Sequence, residues 1–304
     1  MRKFTQAVLV ALVISAPFAP ATTAGSYEDG ISALARNDYA SAVRLWRQGA
    51  NEGDAKSQSN LAYMYLWGGG VPQDDTKAAR WFRKAAEQGD ASGQVNLGIM
   101  YANGKGVKQD YAKALIWTRK AADQGEAGAQ FNLGIMYANG QGVAQNNVEA
   151  AKWVRKSADL GYEEAQVSLG FLYETGQGVT QDYVEAIKWY RKAAEQNNLD
   201  AEFNIGGMYY LGKGVTQDYA EAMKWFRKGA DVGYGNSQFS LGIMYESGQG
   251  VPQDFVRAHM WFNLAAPGIL EFNKAIKGRD RVAELMTPAQ IVQARKLAQE
   301  WRRK

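Results

Sequence analysis

Asp90 to Gly125, DASGQVNLGIMYANGKGVKQDYAKALIWTRKAADQG, holds two amphipathic helices and the signals that separate them. Asp90 precedes Ala91, Gln94, Leu97, Gly98 and Tyr101, which recur at three- and four-residue steps, so the segment reads as a capped helix buried along one stripe. Gly104 ends that helix in the left-handed region. The loop Lys105 to Gln109 turns Val107 inward, and Asp110 caps a second helix with Ala114, Trp117, Ala121 and Ala122 on one face; Gly125 closes it. Gly98, Ala114 and Ala121 let two helix axes approach closely, while Tyr101 and Trp117 fill the space between neighbouring units.

Outward from this stretch the chain repeats it. A Gly-x-Gly-Val tetrapeptide places Val71, Val107, Val143, Val179, Val215 and Val251 at gaps of 36 residues without slippage. The same lattice carries Tyr65, Tyr101, Tyr137, Tyr173, Tyr209 and Tyr245, the alanines from Ala78 to Ala258, and the tryptophans from Trp81 to Trp261. Asp38, Ala42, Ala50 and Gly53 fall on it too, as the second half of a less regular first unit. One helical hairpin buries too little apolar surface to stand alone, so stability must come from stacking successive copies. The fold class is therefore all-α: an α-solenoid of 36-residue helix-turn-helix repeats with capping helices at both ends. Asn197 replaces the closing glycine of the fifth unit; asparagine tolerates the left-handed region next best, so that turn is expected to survive.

Leu-Gly-x-x-Tyr, Gly-x-Gly-Val, Gln-Asp-Tyr and Ala-x-x-Trp-x-Arg-Lys-Ala-Ala, as they stand at 97 to 122, resemble the Sel-one-like repeat family, a relative of the tetratricopeptide repeat. The resemblance runs over roughly residues 38 to 266. It implies a right-handed superhelix that presents a concave surface to proteins or peptides, and no common catalytic residue. The ending Met-Thr-Pro-Ala-Gln-Ile, from Met286, also resembles the tail of exported bacterial members.

The organisation expected is a signal peptide over 1–24, N-terminal capping helices and a partial repeat over 25–53, the repeat solenoid over 54–268, and C-terminal capping helices over 269–304. Arg2 and Lys3, the apolar run Gln6 to Ser15 and the small residues after it give the three-part layout of a secretory leader, with cleavage after Ala21 or Ala24. The run is too short to span a bilayer, and no other segment comes near the length a membrane helix needs. Tyr27 to Arg36 is expected to pair with Asp38 to Gln48. At the far end Pro267 and Gly268 break the lattice before one helix from Ile269 to Met286 and another from Pro288 to Arg303, the latter with Thr287 and Gln290 as a capping box.

Composition removes many function classes. The chain of 304 residues has no cysteine, so disulfides, thiolate metal sites and a cysteine nucleophile are excluded, and its one histidine, His259, cannot build a two-histidine metal site. His259 reads as a packed or half-exposed helix residue. Net charge is +4, falling to +2 once the leader's two cations are removed, so nucleic acid is not an expected partner. Gly207 to Lys213 matches the first seven positions of a P-loop, but Gly214 stands where a hydroxyl is needed and the segment ends a helix. Some cysteine-rich relatives are described as β-lactamases; this chain lacks both their cysteines and any Ser-x-x-Lys. Metals and cofactors are not indicated.

Two columns remain. Arg83, Arg119, Arg155, Arg191 and Arg227 each precede an acid by four residues (Glu87, Asp123, Asp159, Glu195, Asp231), which predicts a self-neutralised face rather than an anion-binding stripe. Asn60, Asn96, Asn132, Ser168, Asn204 and Ser240 form a polar ladder on the first helix of each unit, where asparagine is a poor helix former. In related tetratricopeptide superhelices the position before Leu-Gly faces the groove. One turn later come Met64, Met100, Met136, Met208 and Met244, adaptable groups suited to varied side chains. These eleven residues are the candidate peptide-binding site; the competing reading has asparagine satisfying a neighbouring helix and methionine filling core. The function expected is a non-enzymatic periplasmic or secreted scaffold binding a protein or peptide along the concave face. The alternative is an envelope-associated enzyme or regulator acting on peptidoglycan or β-lactams.

Overall fold

The computed structural model describes residues 24–265 and 272–301. Residues 1–23 of the segment read as a secretory leader, the helix break expected at Pro267 and Gly268, and Arg302 to Lys304 lie outside the described residues. Helices follow one another in hairpins: α1 Ala24–Ala35 with α2 Tyr39–Glu52, α3 Ala55–Trp67 with α4 Asp75–Glu87, α5 Ala91–Asn103 with α6 Tyr111–Asp123, and α7 Ala127–Asn139 with α8 Asn147–Asp159. Then come α9 Glu163–Thr175 with α10 Tyr183–Ala194, α11 Leu199–Leu211 with α12 Tyr219–Asp231, α13 Gly235–Ser247 with α14 Phe255–Ala265, and finally α15 Phe272–Ala283 with α16 Pro288–Trp301. Strands are absent among the described residues. The chain is a helical solenoid with two compact units, one through Ala165 and one from Gln166.

The local signals do what their chemistry predicts. Asp90 accepts from the Gly93 amide at 2.6 Å and Asp110 from the Lys113 amide at 3.0 Å, each satisfying a donor the helix cannot. Gly104 ends α5 at φ 67°, and Asn197 sits at φ 64° and keeps its turn. The second glycine of Gly-x-Gly has a tertiary reason at Gly70, Gly106, Gly142, Gly214 and Gly250. At Gly106, φ is 69° and a Cβ would stand 2.1 Å from the carbonyl oxygen of Asp75, so the loop of one repeat rests directly on the start of the preceding repeat's second helix.

Within the first unit, each second helix packs against its own first helix and against the next repeat's first helix. Leu61, Leu97 and Leu133 are fully buried along this seam, with Ala78, Ala114 and Phe82. The second unit is built alike around Ile205, Leu241, Ala222 and Phe226. There Gly206 leaves the room that the Phe226 ring fills, since a Cβ would stand 2.7 Å from that ring. Burying such a ring contributes about 1.5–3 kcal/mol.

The C-terminal helices close the second unit. Trp301 of α16 meets Trp261 edge to face at 5.0 Å, and Arg281 of α15 grips Glu246 of α13 with two bonds of 2.6 Å. The capping box forms: the Thr287 amide donates to Gln290 at 2.8 Å and the Gln290 amide to the Thr287 hydroxyl at 3.4 Å.

Candidate functional site

The ladder runs along one face of the first helices, and its rungs are covered to different degrees. In the first unit Asn60 is half-buried, whereas Asn96 and Asn132 are only 7% and 4% exposed. Asn96 donates to the Tyr63 hydroxyl at 2.6 Å and to the Ser92 carbonyl at 2.8 Å, and the Tyr63 hydroxyl also lies 3.2 Å from that of Ser92. Burial pushes the Tyr63 phenol above its usual value. At this rung asparagine satisfies a neighbouring helix. In the second unit Ser168, Asn204 and Ser240 are half-buried.

The methionines belong to the core, which corrects their placement in a groove. Met64, Met100, Met136, Met208 and Met244 are at most 3% exposed and pack in the apolar clusters. A helix turns about 100° per residue, so a step of four from Asn96 rotates about 40° toward the buried side of Leu97, and a step of three rotates about 60° the other way. The residues that share the ladder's face are therefore Tyr63, Ile99, Ile135, Phe171, Gly207 and Ile243, all half-buried. Seven residues beyond the ladder, Trp67 is 48% exposed and Leu211 57%. Sequence reading passed over these because it followed the commoner Met column; the three-residue step was the signal.

The basic column is also used differently from the expectation. Among the arginine–acid pairs expected at a four-residue step, that of Arg227 and Asp231 stands at 2.8 Å. Arg83 and Arg191 instead donate to the hydroxyls of Tyr101 and Tyr209 at 2.8 Å, Arg119 bonds Tyr137, and Arg47 reaches Tyr65 at 3.4 Å. A guanidinium gains more from a partly buried phenol of the next helix than from an exposed carboxylate on its own. The lysine beside each arginine stacks on the tryptophan three residues before it: Lys84 on Trp81 at 4.2 Å, Lys120 on Trp117 at 4.4 Å, Lys156 on Trp153 at 3.9 Å and Lys192 on Trp189 at 3.8 Å. These cations tie repeats and cover indoles rather than forming an open anion stripe.

A glutamine ladder, not foreseen from sequence, runs through the interior. Gln58, Gln94, Gln130 and Gln238 each donate to the carbonyl eight residues earlier at 3.2 Å. Gln58 and Gln94 accept from Gln88 and Gln124 at 2.8 Å, and Gln166 accepts from Gln196 at 2.9 Å. Gln130 has Leu160 at the corresponding place, and its Oε1 is buried without a partner. Glu202 replaces the glutamine once, is 1% exposed and pairs with Lys228 at 2.5 Å.

His259 is packed, at 2% exposure, and its Nδ1 lacks a partner. Burial, with help from Arg279 and Arg295 and against Asp280, holds its pKa below 6.5. Among the described residues no three His, Cys, Asp or Glu side chains are grouped so as to hold a metal ion, and no helix is long and apolar enough to cross a membrane. The P-loop-like segment is the end of α11 and its left-handed cap Gly212.

This geometry meets known proteins at one point. A Sel1 repeat model matches residues 24–54, 55–90, 91–126, 127–162, 163–198, 199–234 and 235–266. The crystal structure of c5321, a protective antigen present in uropathogenic Escherichia coli strains and displaying an SLR fold, is 31% identical, with 92% of this chain and 68% of that one covered and a TM-score of 0.60. A Sel1 repeat protein from Oxalobacter formigenes is 30% identical over 80% of this chain and 97% of its own, with a TM-score of 0.72. No curated protein matches. Sel1 repeat proteins are in general non-catalytic scaffolds for protein interactions. From the seven matched repeats and these two structures, the chain belongs to the Sel1 repeat family.

Proposed function

We propose that this chain is a non-enzymatic scaffold of the bacterial periplasm or the secreted fraction, which holds a protein or peptide partner along its first-helix faces. In the superhelix the family resemblance implies, those faces line the concave side. The observation that carries the reading is the stripe left by packing. The first helices are covered by second helices and keep a half-open stripe, which on α3 and α11 carries polar Asn60 or Asn204 and, two turns on, a large exposed apolar group, Trp67 or Leu211. Exposed aromatic and aliphatic groups set among amides are what a protein interface uses for anchors and register. Along the ladder the Asn204 amide and the Ser168 and Ser240 hydroxyls stay half-open at its edge, whereas the Asn60 amide nitrogen is buried and the five methionines shape the helices from behind. The leader-like start of the chain and the likeness to an antigen of uropathogenic Escherichia coli support export. Near-neutral charge and internally committed cations argue against nucleic acid.

The test is crosslinking of the purified chain in envelope extract, comparing it with Trp67→Ser and Ile99→Asp. Trp67 is exposed and Ile99 half-buried, and circular dichroism checks that each variant keeps the helicity of the parent. A partner recovered by the parent and lost by the variants is the expected result. Equal recovery by all three places the interface elsewhere and defeats the proposal.

A further inference from the structure

The last repeat departs from the others where it meets α16. Elsewhere an arginine of a second helix donates to the tyrosine hydroxyl 18 residues later. Arg227 and Tyr245 stand in the same relation, yet the guanidinium lies over the rings of Trp301 and Trp261, at 4.8 and 5.2 Å, and its Nε meets Asp231 at 2.8 Å. Contact with both indoles holds the guanidinium in place, and the Nε bond leaves terminal N–H donors in hand. Beside it is a cavity of about 350 Å³, also lined by Tyr245, Arg257, Met260, Leu297 and Glu300. Arg257 lies over the Tyr245 ring at 5.5 Å, and its Nε is 3.5 Å from Asp254, so this second guanidinium likewise keeps terminal donors.

The walls divide by chemistry. Two guanidiniums supply donors of the fork geometry that suits a carboxylate and the Tyr245 phenol a single O–H, whereas Met260, Leu297 and the two indoles offer an apolar floor. Glu300 adds an acceptor for an N–H, and is itself only loosely approached by Lys296 at 3.9 Å. The volume is at the small end for ligand sites, which suits one residue-sized group. We propose that this cavity binds a carboxylate carried on an aromatic or branched apolar group: the C-terminal residue of a peptide, or a small free acid of the same chemistry. The site stands apart from the first-helix faces and does not depend on their role.

The experiment is isothermal titration of the full exported chain with three probes: an acetylated pentapeptide ending in phenylalanine, its C-terminal amide, and N-acetylphenylalanine. The acid peptide is expected to bind and the amide to bind at least about tenfold more weakly, because a charge-assisted pair is lost. Arg257→Gln, at an exposed guanidinium outside the core, is expected to bring the acid down to the level of the amide, and Arg257→Lys to fall between. N-acetylphenylalanine matching the peptide assigns the site to small acids; a much weaker signal assigns it to peptide termini, and either supports the proposal. No binding of any probe, equal binding of acid and amide, or an Arg257→Gln variant that binds like the parent overturns it.

Discussion

Replacing Leu160 by glutamine should stabilise the first unit. Gln88, Gln124 and Leu160 close their helices with nearly the same backbone, at φ/ψ of −85/0, −79/−3 and −80/0°. At the first two, glutamine donates to a buried glutamine 30 residues back at 2.8 Å. Leu160 cannot, so the Oε1 of Gln130 stays buried and unpaired while the leucine side chain is 59% exposed. Supplying a donor removes a desolvation penalty of about 1–3 kcal/mol, and fixing a glutamine side chain costs up to about 1.5–2 kcal/mol. The expected net gain is up to about 1.5 kcal/mol. For domains of 150–250 residues that is roughly 2–4 °C in Tm per kcal/mol. Repeat arrays need not unfold in one step, so calorimetry should be joined by native-state hydrogen exchange at the amides of α7 and α8. The decisive control is the same change in a Gln130→Leu background, where the double-mutant cycle should show the gain vanish. A gain that persists without Gln130, or a loss in the parent, refutes the ladder as its cause.

Gly106→Ala should cost several kcal/mol in urea unfolding, because the new Cβ meets the Asp75 carbonyl at a positive φ; Gly125→Asn, at φ 92° with nothing within 4 Å, should cost less than about 1 kcal/mol. Asn96→Ala should lower stability by about 1–2 kcal/mol, since two hydrogen bonds go with it and Tyr63 loses a partner; an unchanged midpoint would mean those bonds contribute nothing. For His259 the folded pKa is depressed below 6.5, so the folded state binds the proton less readily than the unfolded chain does. Its neutral form folds without penalty above pH 6.5, and stability falls as pH drops below that value, levelling off beneath the folded pKa. Thermal melts from pH 7.5 to 5 should show a smaller acid loss for His259→Gln than for the parent; equal slopes would remove the histidine as the cause.

The 36-residue lattice was legible because its signals are local. An Asp before a helix, a glycine after it and a stripe at helical spacing act within a few residues, and copying them six times removes any accident of composition. The cap at Asp110, the turn at Asn197 and the box at Thr287 were read from neighbours in sequence for that reason. The polar ladder was legible as a column, but its exposure was not. Asn96 and Asn60 look alike in sequence and each meets a tyrosine one repeat back, Tyr63 or Tyr27, yet only the packing of the stacked helices leaves the first buried and the second half-buried.

Direction around a helix marks the boundary of what sequence decides. Periodicity says that one face is buried without saying where its edge falls, so Met100 was placed in the groove and Ile99, adjacent in the chain, was passed over until the second helices were in place. The arginines needed the same information: an acid four residues on is a fixed possibility, but a phenol 18 residues on competes for the guanidinium only after stacking has brought it near. Repetition thus determined the architecture from sequence, because each unit's local free energy is written in its own 36 residues. Which groups are buried, paired or left open was decided by tertiary packing, because burial and hydrogen bonding depend on neighbours that only the stacked units supply.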